Sequence, residues 1–355
     1  MSVKVFVVDD SAVVRQAFTH MLSGNTEVTL VGTAPNPLLA VEAIRKCNPD
    51  VLLLDIEMPG MDGLTFLRQI MATHPIPTVI CSTLSTEGSK VALEALAAGA
   101  VSVLAKPKLG LRQYLDDSRR ELIQALKTAA RSKPRPRASA PGHADAVARA
   151  VPARGPVLGS IHALAMNKPV VIGSSTGGTQ ALELVLTSLP ADAPGIAITQ
   201  HMPEKFTAMY AQRLNGICAM EVREARDGDR LERGLALIAP GGLHMQLRKS
   251  VGQYFVHVMD GPPVNRHKPS VDVLFKSAAE VAGRDALGII MTGMGDDGAR
   301  GMKTMHDLGA RTIAQNEETC VVFGMPKEAI KLQAVDDILP LEHIARAILQ
   351  FDSRA

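Results

Sequence analysis

The chain has 355 residues, of which 46% are hydrophobic and 21% are charged, and its formal net charge at pH 7 is +2. A domain usually holds about 100–200 residues, so this length favours two domains with cores of ordinary composition. The small net charge argues against a nucleic-acid-binding protein. The four cysteines are scattered without metal-ligand spacing, so neither a disulfide framework nor a zinc site is expected.

The N-terminal sequence MSVKVFVVDD carries two aspartates where a signal peptide needs an apolar segment. No run of about 18 apolar residues follows elsewhere in the chain. We therefore expect a cytoplasmic protein that does not insert into a membrane.

Short apolar segments alternate with helical patterns through the first part of the chain. This alternation is typical of a parallel sheet covered by helices, and five βα units predict a flavodoxin-like doubly wound domain over residues 1–127. The expected strands cover residues 4–8, 28–32, 50–55, 77–81 and 100–105.

Residues 131–156 differ in composition from both flanking regions. The segment RSKPRPRASAPGHADAVARAVPARGP holds five prolines and six lysines or arginines but one acidic residue. Such a segment cannot bury a core, so we predict a flexible linker over residues 128–167. The basic residues would also suit an acidic surface, but a solvated spacer is the favoured interpretation.

A second βα series begins at PVVIG (169–173) and ends in a helix near residues 341–350. It predicts a doubly wound α/β domain with a mainly parallel sheet over residues 168–352. In its middle part, the segments GLALIAPGG and QYFVHVMDG are expected to form a hairpin region.

Polar side chains follow four of the strands expected in the first domain. Asp9 and Asp10 follow the first strand, Asp55 ends the third, Ser82 follows the fourth and Lys106 follows the fifth. Carboxyl ends of parallel strands share one sheet edge, where three carboxylates repel one another unless a cation such as Mg²⁺ lies among them. An aspartate is also a competent phosphoryl acceptor. Helix capping and turn formation explain any one of these residues alone, but not their joint placement.

Residues 1–125 strongly resemble the response-regulator receiver domain. The resemblance implies one role for each of these residues: Asp55 as phosphoacceptor, Asp9, Asp10 and Asp55 as Mg²⁺ ligands, Ser82 as the hydroxyl switch residue and Lys106 as the phosphate contact. The sequence departs from the receiver pattern at Val103, where receivers usually carry a switching aromatic side chain.

The glycine-rich segment GSSTG (173–177) suits two kinds of chemistry. It matches G-x-S-x-G with Ser175 in the centre, while Ser174 is out of register. A strand-to-helix turn of this kind presents a nucleophilic serine to helix N–H groups, but the same geometry also holds a phosphate. A histidine or other base placed beside Ser175 would favour the nucleophile over the phosphate site.

Position favours His201 as that base, because it follows the next expected strand, whereas His244 and His267 are rivals with weaker placement. Asp296 and Asp297 follow a further strand, where a carboxylate would orient an imidazole; the alternative is that they cap the next helix. The segment GMGDDG (293–298) also matches the dinucleotide pattern G-x-G-x-x-G. Its two aspartates would repel a pyrophosphate, so nucleotide binding is disfavoured.

Five segments in order resemble the catalytic domain of chemotaxis protein-glutamate methylesterases, over roughly residues 168–350. The segments are IGSSTGGTQAL, ITQHMP, DGPPVNRHKPSVDVLF, TGMGDDGARGM and IAQNEETCVVFGMP. The resemblance implies Ser175 as nucleophile, His201 as base and Asp297 as orienting carboxylate, with Thr176 and Met294 at the oxyanion. At position 174 the family commonly has alanine where this chain has serine.

The two resemblances together imply a phosphorylation-activated enzyme of chemotaxis signalling. It would hydrolyse glutamyl methyl esters on methyl-accepting chemotaxis receptors and deamidate receptor glutamines, without a cofactor for hydrolysis. A histidine kinase would phosphorylate the receiver, which otherwise covers the esterase cleft. We expect a monomer recruited to receptor arrays that binds no nucleic acid. The alternative is a receiver joined to a nucleotide-binding or transcriptional output domain.

Overall fold

The computed structural model describes residues 2–58, 62–82, 86–106, 112–132 and 168–353. They form two units, here called the N-terminal unit (residues up to 132) and the C-terminal unit (residues from 168). Each unit has a parallel sheet with covering helices, and the C-terminal unit also has a separate two-stranded sheet. The strands of the N-terminal unit are β1 (Val3–Val8), β2 (Val28–Ala34), β3 (Val51–Asp55), β4 (Thr78–Ser82) and β5 (Ser102–Ala105). Its helices are α1 (Ala12–Leu22), α2 (Pro37–Cys47), α3 (Gly63–Thr73), α4 (Thr86–Ala97) and α5 (Arg112–Ala130).

The five strands of the N-terminal unit are parallel, in the order β2-β1-β3-β4-β5. Alternate residues of β1 face opposite sides of the sheet: Val5 and Val7 pack with α1 and α5, while Phe6 and Val8 pack with α2, α3 and α4. Because helices cover both faces, the strand VLLLD, which is apolar up to its last residue, is buried along its whole length. The predicted flavodoxin-like receiver fold is confirmed.

The C-terminal unit is larger and has a second parallel sheet. Its strands are β6 (Val170–Ser174), β7 (Ile196–Gln200), β8 (Glu221–Glu224), β9 (Leu235–Ile238), β10 (His244–Ser250), β11 (Gln253–Met259), β12 (Leu287–Ile290), β13 (Arg311–Gln315) and β14 (Asp337–Leu339). Its helices are α6 (Gly178–Thr187), α7 (Glu204–Asn215), α8 (Val271–Ala282), α9 (Ala299–Asp307), α10 (Met325–Lys331) and α11 (Leu341–Asp352). The predicted doubly wound α/β fold is confirmed.

The seven-stranded sheet has the order β14-β13-β12-β6-β7-β9-β8, with all neighbours parallel. The chain order reverses beside β6, and such a switch point opens a crevice at the carboxyl ends of the strands. The segments that follow β6, β7 and β12 meet at this crevice. It therefore brings together the serine turn, His201 and the segment that contains Asp297.

The predicted hairpin is wrong in one of its strands. GLALI forms β9, which lies between β7 and β8 in the parallel sheet, and the hairpin consists of β10 and β11. All residues of Leu235–Ile238 are buried, as an apolar strand covered on both faces should be. In contrast, β10 ends in three exposed residues and reverses at Val251 and Gly252, which both have positive φ.

The end of the N-terminal unit differs from the expected boundary at residue 127, because α5 continues to Ala130. Most of the predicted linker, residues 133–167, lies outside the described residues. Among the helices that the structure describes, none has the length and apolar character needed to cross a membrane.

Candidate active site

The turn after β6 holds Ser175 at the crevice. The backbone N–H of Ser175 donates to the carbonyl of Thr292 (3.0 Å), and its own carbonyl accepts from Gly178 N–H (2.8 Å). Gly177 has a φ of +79°, and a Cβ there would lie 2.5 Å from the Cβ of Val321. A glycine is therefore required for the chain to turn this tightly into α6.

The two adjacent serines have different surroundings. Ser174 is fully buried, and its hydroxyl donates to Oε1 of Gln200 (2.7 Å). Nε2 of Gln200 donates in turn to the carbonyls of Ser175 (2.9 Å) and His201 (3.0 Å). Ser175 instead lines the open cleft. The side chain of Ser174 is thus occupied in a buried contact, whereas Ser175 faces the cleft.

His201 lies directly after β7, and its ring contacts Asp297. The distance from His201 Nε2 to Asp297 Oδ2 is 2.8 Å, and both side chains are almost fully buried. Nδ1 of His201 is buried and has no hydrogen-bond partner among the residues that the structure describes. One nitrogen is therefore bound to the carboxylate, and the other remains available to a proton donor at the cleft.

Asp297 is surrounded by hydrogen-bond donors. Its carboxylate accepts from Asn265 Nδ2 (2.8 Å), Ser270 Oγ (2.7 Å) and the backbone N–H of Val271 (2.7 Å), besides the bond to His201. Burial alone would raise the pKa of Asp297, but the hydrogen bonds to His201, Asn265 and Ser270 and the charge of His201 together lower it. Asp297 thus stays ionised and caps α8, not the helix that follows it in sequence.

Two other residues that the sequence offered as candidates, Asp296 and His244, lie apart from the His201–Asp297 pair. Asp296 is partly exposed, and it faces Arg266 (3.8 Å) and Arg300 (3.6 Å) instead of an imidazole. His244 is buried; its Nε2 lies 3.0 Å from the carbonyl of Pro262, and its Nδ1 accepts from the N–H of Ser270 (3.2 Å). Neither residue takes part in the His201–Asp297 pair.

Two backbone N–H groups are available beside Ser175. Neither the N–H of Thr176 nor that of Met294 donates to an acceptor within the described part of the chain. Both residues line the same cleft as Ser175 and His201. The Thr292 hydroxyl donates to the carbonyl of Thr176 (2.9 Å) and accepts from Val322 N–H (3.0 Å), so it links the two loops that carry these groups.

The N-terminal unit forms one wall of this cleft. The cavity has a volume of about 570 Å³, and residues of β5 and α5 line it together with Ser175 and His201. Gln124 Nε2 of α5 lies 3.3 Å from Met294 Sδ, and the Thr128 hydroxyl contacts the same sulfur. Val103 also faces the cavity. In this structure the N-terminal unit therefore restricts access to Ser175.

A second polar site lies at the carboxyl edge of the N-terminal sheet. Ligand atoms of Asp9, Asp10 and Asp55 lie within 4.8 Å of one another. Lys106 Nζ is 2.7 Å from Asp55 Oδ2 and 3.7 Å from Asp9 Oδ2. Burial, outweighing the neighbouring Lys106, raises the pKa of Asp9 to about 6, and Asp9 Oδ2 has no hydrogen-bond partner within the described residues. Ser82 is buried at the end of the adjacent β4.

The comparisons with known proteins agree with this division. A family model described as CheB methylesterase matches residues 170–348, and one described as response regulator receiver domain matches residues 5–114. The chain is 57% identical over 351 residues to Protein-glutamate methylesterase/protein-glutamine glutaminase 2 of Dechloromonas aromatica, with 98% of each chain covered. The chain belongs to the CheB methylesterase family.

Other members of the CheB methylesterase family are also similar. Protein-glutamate methylesterase/protein-glutamine glutaminase 1 of Xanthomonas oryzae pv. oryzae is 55% identical over 350 residues, which cover 97% of this chain and 99% of the relative. The crystal structure of the Thermotoga maritima CheB methylesterase catalytic domain is 38% identical, with a TM-score of 0.51. That match covers 52% of this chain and 98% of the solved chain.

Sequence reasoning missed several residues that hold this CheB methylesterase site together. Gln200 joins two strand ends, and Asn265 and Ser270 bind the carboxylate of Asp297. His267, which the sequence offered only as a rival base, instead stacks on His201. Gln200 could have been found from the sequence, because it ends the strand that His201 follows and His201 was selected by its position at that strand end. Asn265 and Ser270 carried no such signal, since their loop is far from Asp297 in sequence.

Proposed function

We propose that this chain is a protein-glutamate methylesterase that hydrolyses glutamyl methyl esters on chemotaxis receptors, releases methanol and also deamidates receptor glutamines. The full-length similarity to proteins named for both activities supports this assignment. The receiver ends with α5 at Ala130, the linker follows it up to residue 167, and residues 168–352 are the catalytic domain. The enzyme acts in the cytoplasm at receptor arrays.

Ser175, His201 and Asp297 form the catalytic triad. His201 accepts the Ser175 hydroxyl proton through Nδ1 as the serine oxygen attacks the ester carbonyl. The resulting imidazolium then gives this proton to the departing methoxy oxygen, which leaves as methanol. A water molecule, activated by the same imidazole, hydrolyses the acyl-enzyme to the glutamate and restores Ser175. No cofactor is needed for this step.

The single observation that carries this mechanism is the arrangement of His201. Its Nε2 is bound to the buried carboxylate of Asp297 at 2.8 Å, while its Nδ1 is unpartnered within the described residues and its ring lines the same cleft as Ser175. Ionised Asp297 stabilises the imidazolium that forms and fixes its tautomer. A phosphate cradle would not require this pair.

The N–H groups of Thr176 and Met294 bind the oxyanion. Both are free of other acceptors in the described structure and line the same cleft as Ser175. Donors that are fixed before the reaction act where negative charge develops, and losing one typically costs about 3–4 kcal/mol of transition-state stabilisation.

Asp55 accepts the phosphoryl group from a chemotaxis histidine kinase, and Asp9, Asp10 and Asp55 would hold Mg²⁺. Asp9, Asp10 and Asp55 fit the ion, because three carboxylates converge there and the buried Asp9 Oδ2 lacks a hydrogen-bond partner in the described residues. When bound, Mg²⁺ neutralises charge on the carboxylates and the phosphoryl oxygens. Lys106 contacts the added oxygens, and the hydroxyl of Ser82 signals their presence.

Phosphorylation increases activity by loosening the contact of the receiver with the cleft. A receiver that closes the site 99% of the time requires a closed state favoured by about 2.7 kcal/mol, which a change in local charge can offset. Because Val103 replaces the usual aromatic residue, the movement of Ser82 and the adjacent loop transmits the signal.

The alternative output functions are not favoured. A seven-stranded parallel sheet is unlike a helix-turn-helix output domain. In GMGDDG, the carboxylate of Asp297 binds the N-terminal N–H groups of α8 and the ring of His201. A pyrophosphate beside this carboxylate would meet a like charge.

The decisive experiment measures methanol release from methylated receptor membranes in the presence of a small phosphodonor. Ser175→Ala should remain folded and lose at least about 10³-fold in rate. Ser174→Ala is the matched control and should retain most of the activity, because the Ser174 hydroxyl is buried against Gln200. Full methanol release by Ser175→Ala would overturn the assignment.

A further inference from the structure

The ring of His267 stacks on the ring of His201, the proposed base. The rings of His267 and His201 are stacked, with centroids 3.7 Å apart and an angle of 9° between their planes. Asp297 contacts one edge of the His201 ring, and the His267 ring covers one face of it. Contact on an edge and on a face together fixes both the direction and the plane of an imidazole.

The turn that carries His267 is strained. Val264 and His267 exchange two backbone hydrogen bonds, of 3.0 Å and 2.9 Å. The two central residues, Asn265 (φ +50°) and Arg266 (φ +70°), are both left-handed, which is the pattern of a type I′ turn. Glycine usually occupies the second central position, so arginine there costs free energy. Such strain is typically kept where the position of a side chain matters.

The same carboxylate holds the base and this turn. Asn265 Nδ2 donates to Asp297 Oδ1 and to Asp272 Oδ2, both at 2.8 Å. Asp297 Oδ2 contacts His201. Asp297 therefore bonds both to the ring of His201 and to the turn that carries His267.

The ring of His267 is neutral at physiological pH. Burial, followed by the charge of His201, lowers the pKa of His267 to about 4, although Asp297 and Asp296 oppose this effect and Arg266 adds to it. A neutral aromatic face attracts a neighbouring cation. The stack therefore tolerates the positive charge that His201 gains during the reaction, and it keeps water off that face.

We propose that His267 is a positioning residue, which fixes the plane of the His201 ring so that Nδ1 faces the hydroxyl of Ser175. It does not transfer a proton itself. This inference rests on the proposed roles of Ser175 and His201. It goes beyond the triad, because it assigns a function to a side chain that bonds to neither the serine nor the carboxylate.

The test uses the full-length enzyme activated by a small phosphodonor, with methylated receptor membranes as substrate. His267→Ala should lower kcat by about 10- to 100-fold, because a small misplacement of a reacting group has an effect of this size. KM should change less than threefold, since the substrate still binds. His267→Phe keeps a flat face and should recover kcat to within about threefold of the wild type.

A second readout separates positioning from substrate recognition. The rate at which phenylmethanesulfonyl fluoride modifies Ser175 depends on the base but not on the receptor, so it should fall in His267→Ala in parallel with kcat. His257→Ala is the matched control, because His257 is a partly exposed histidine on β11 that pairs with Asp227. Circular dichroism should show the same melting behaviour for all folded variants.

Two results would overturn the proposal: a wild-type kcat in His267→Ala, or a kcat in His267→Phe as low as in His267→Ala. If His267→Ala does not fold, the test uses His267→Phe alone. A loss of more than about tenfold in the kcat of His267→Phe would then contradict the proposal. Absence of methanol release by the wild-type enzyme would count against the proposed function and not against the role of His267.

Discussion

Ser174 and Ser175 differ in their contacts although they are neighbours with the same side chain. Ser174 is the last residue of β6 and its side chain is buried, whereas Ser175 is the first residue of the following turn and lines the cleft. Gln200 uses all of its amide atoms to connect Ser174, Ser175 and His201. A buried amide that is fully hydrogen-bonded holds its partners rigidly.

We expect Gln200→Ala to lower kcat by about tenfold, because it releases the carbonyls of Ser175 and His201 and leaves the Ser174 hydroxyl unpaired. Ser174→Ala removes one of these hydrogen bonds and should lower kcat less than twofold. Methanol release at saturating receptor measures both. Equal kcat values in the two variants would show that the amide of Gln200 does not hold the site.

The stability contributed by Asp297 should depend on pH in a defined direction. Its folded pKa lies below the unfolded value of about 3.9, so the ionised form favours folding above that pH, and this contribution is lost as the pH falls further. The difference in unfolding free energy between the wild type and Asp297→Asn should therefore be largest above pH 5 and smaller at pH 3.5. Urea titrations at both pH values measure it; a difference that grows on acidification would contradict this account.

At the scale of elements, the close approach of β6 to α8 positions the serine turn against the helix that Asp297 caps. A Cβ at Gly173 would lie 2.2 Å from Val271 Cγ1 and 3.1 Å from Phe275 Cζ. Glycine therefore lets the strand pack directly on the helix. The same helix receives the carboxylate of Asp297 at its N-terminus. The strand, the helix and the proposed triad therefore contact one another at this point.

Gly173→Ala should destabilise the C-terminal unit by about 1–3 kcal/mol, because it overpacks this contact. Gly216→Ala is the matched control, since an added Cβ there meets nothing closer than the Arg213 carbonyl at 3.5 Å. Urea unfolding followed by circular dichroism compares them. Similar midpoints for both variants would show that α8 moves away at little cost.

The sequence predicted the five strands of the N-terminal sheet and the central strands of the C-terminal sheet to within a few residues, because fully buried parallel strands give continuous apolar segments. It predicted neither β8 nor β14, the edge strands of the seven-stranded sheet, because they are only partly buried and carry no such segment. It also placed Ser175, His201 and Asp297 at strand ends. The partner of the hairpin strand was predicted wrongly, since GLALI and QYFVHVM are both apolar and strand pairing is not a local property. The stacking of His267 and the binding of Asn265 to Asp297 depend on a turn with two left-handed residues. The sequence of this segment contains no glycine at the turn and therefore did not predict it.

At the scale of the whole molecule, the two units meet at the cleft. Gln124 and Thr128 of α5 contact the sulfur of Met294, whose N–H is proposed to bind the oxyanion. On another side, Gln180 Nε2 of α6 donates to the carbonyl of Leu96 in α4. The receiver thus touches the proposed machinery itself, so its displacement would both open the cleft and free Met294.

The double variant Gln124→Ala/Thr128→Ala should raise methanol release without a phosphodonor by about 2- to 10-fold, because removing weak contacts of about 0.5–1.4 kcal/mol favours the open state. Arg119→Ala is the matched control, since Arg119 lies on the same helix but donates to the Ser23 carbonyl within the N-terminal unit. Activity of the double variant equal to that of the control would show that these contacts do not hold the cleft closed.

Methanol release from methylated receptors, measured with and without a small phosphodonor, tests most directly whether this chain is a serine esterase controlled by Asp55. The wild type should be activated by the donor. Asp55→Ala should keep the low rate of the unphosphorylated enzyme and show no activation, because its triad is intact but its phosphoacceptor is absent. Activation of Asp55→Ala to the same extent as the wild type would contradict the account.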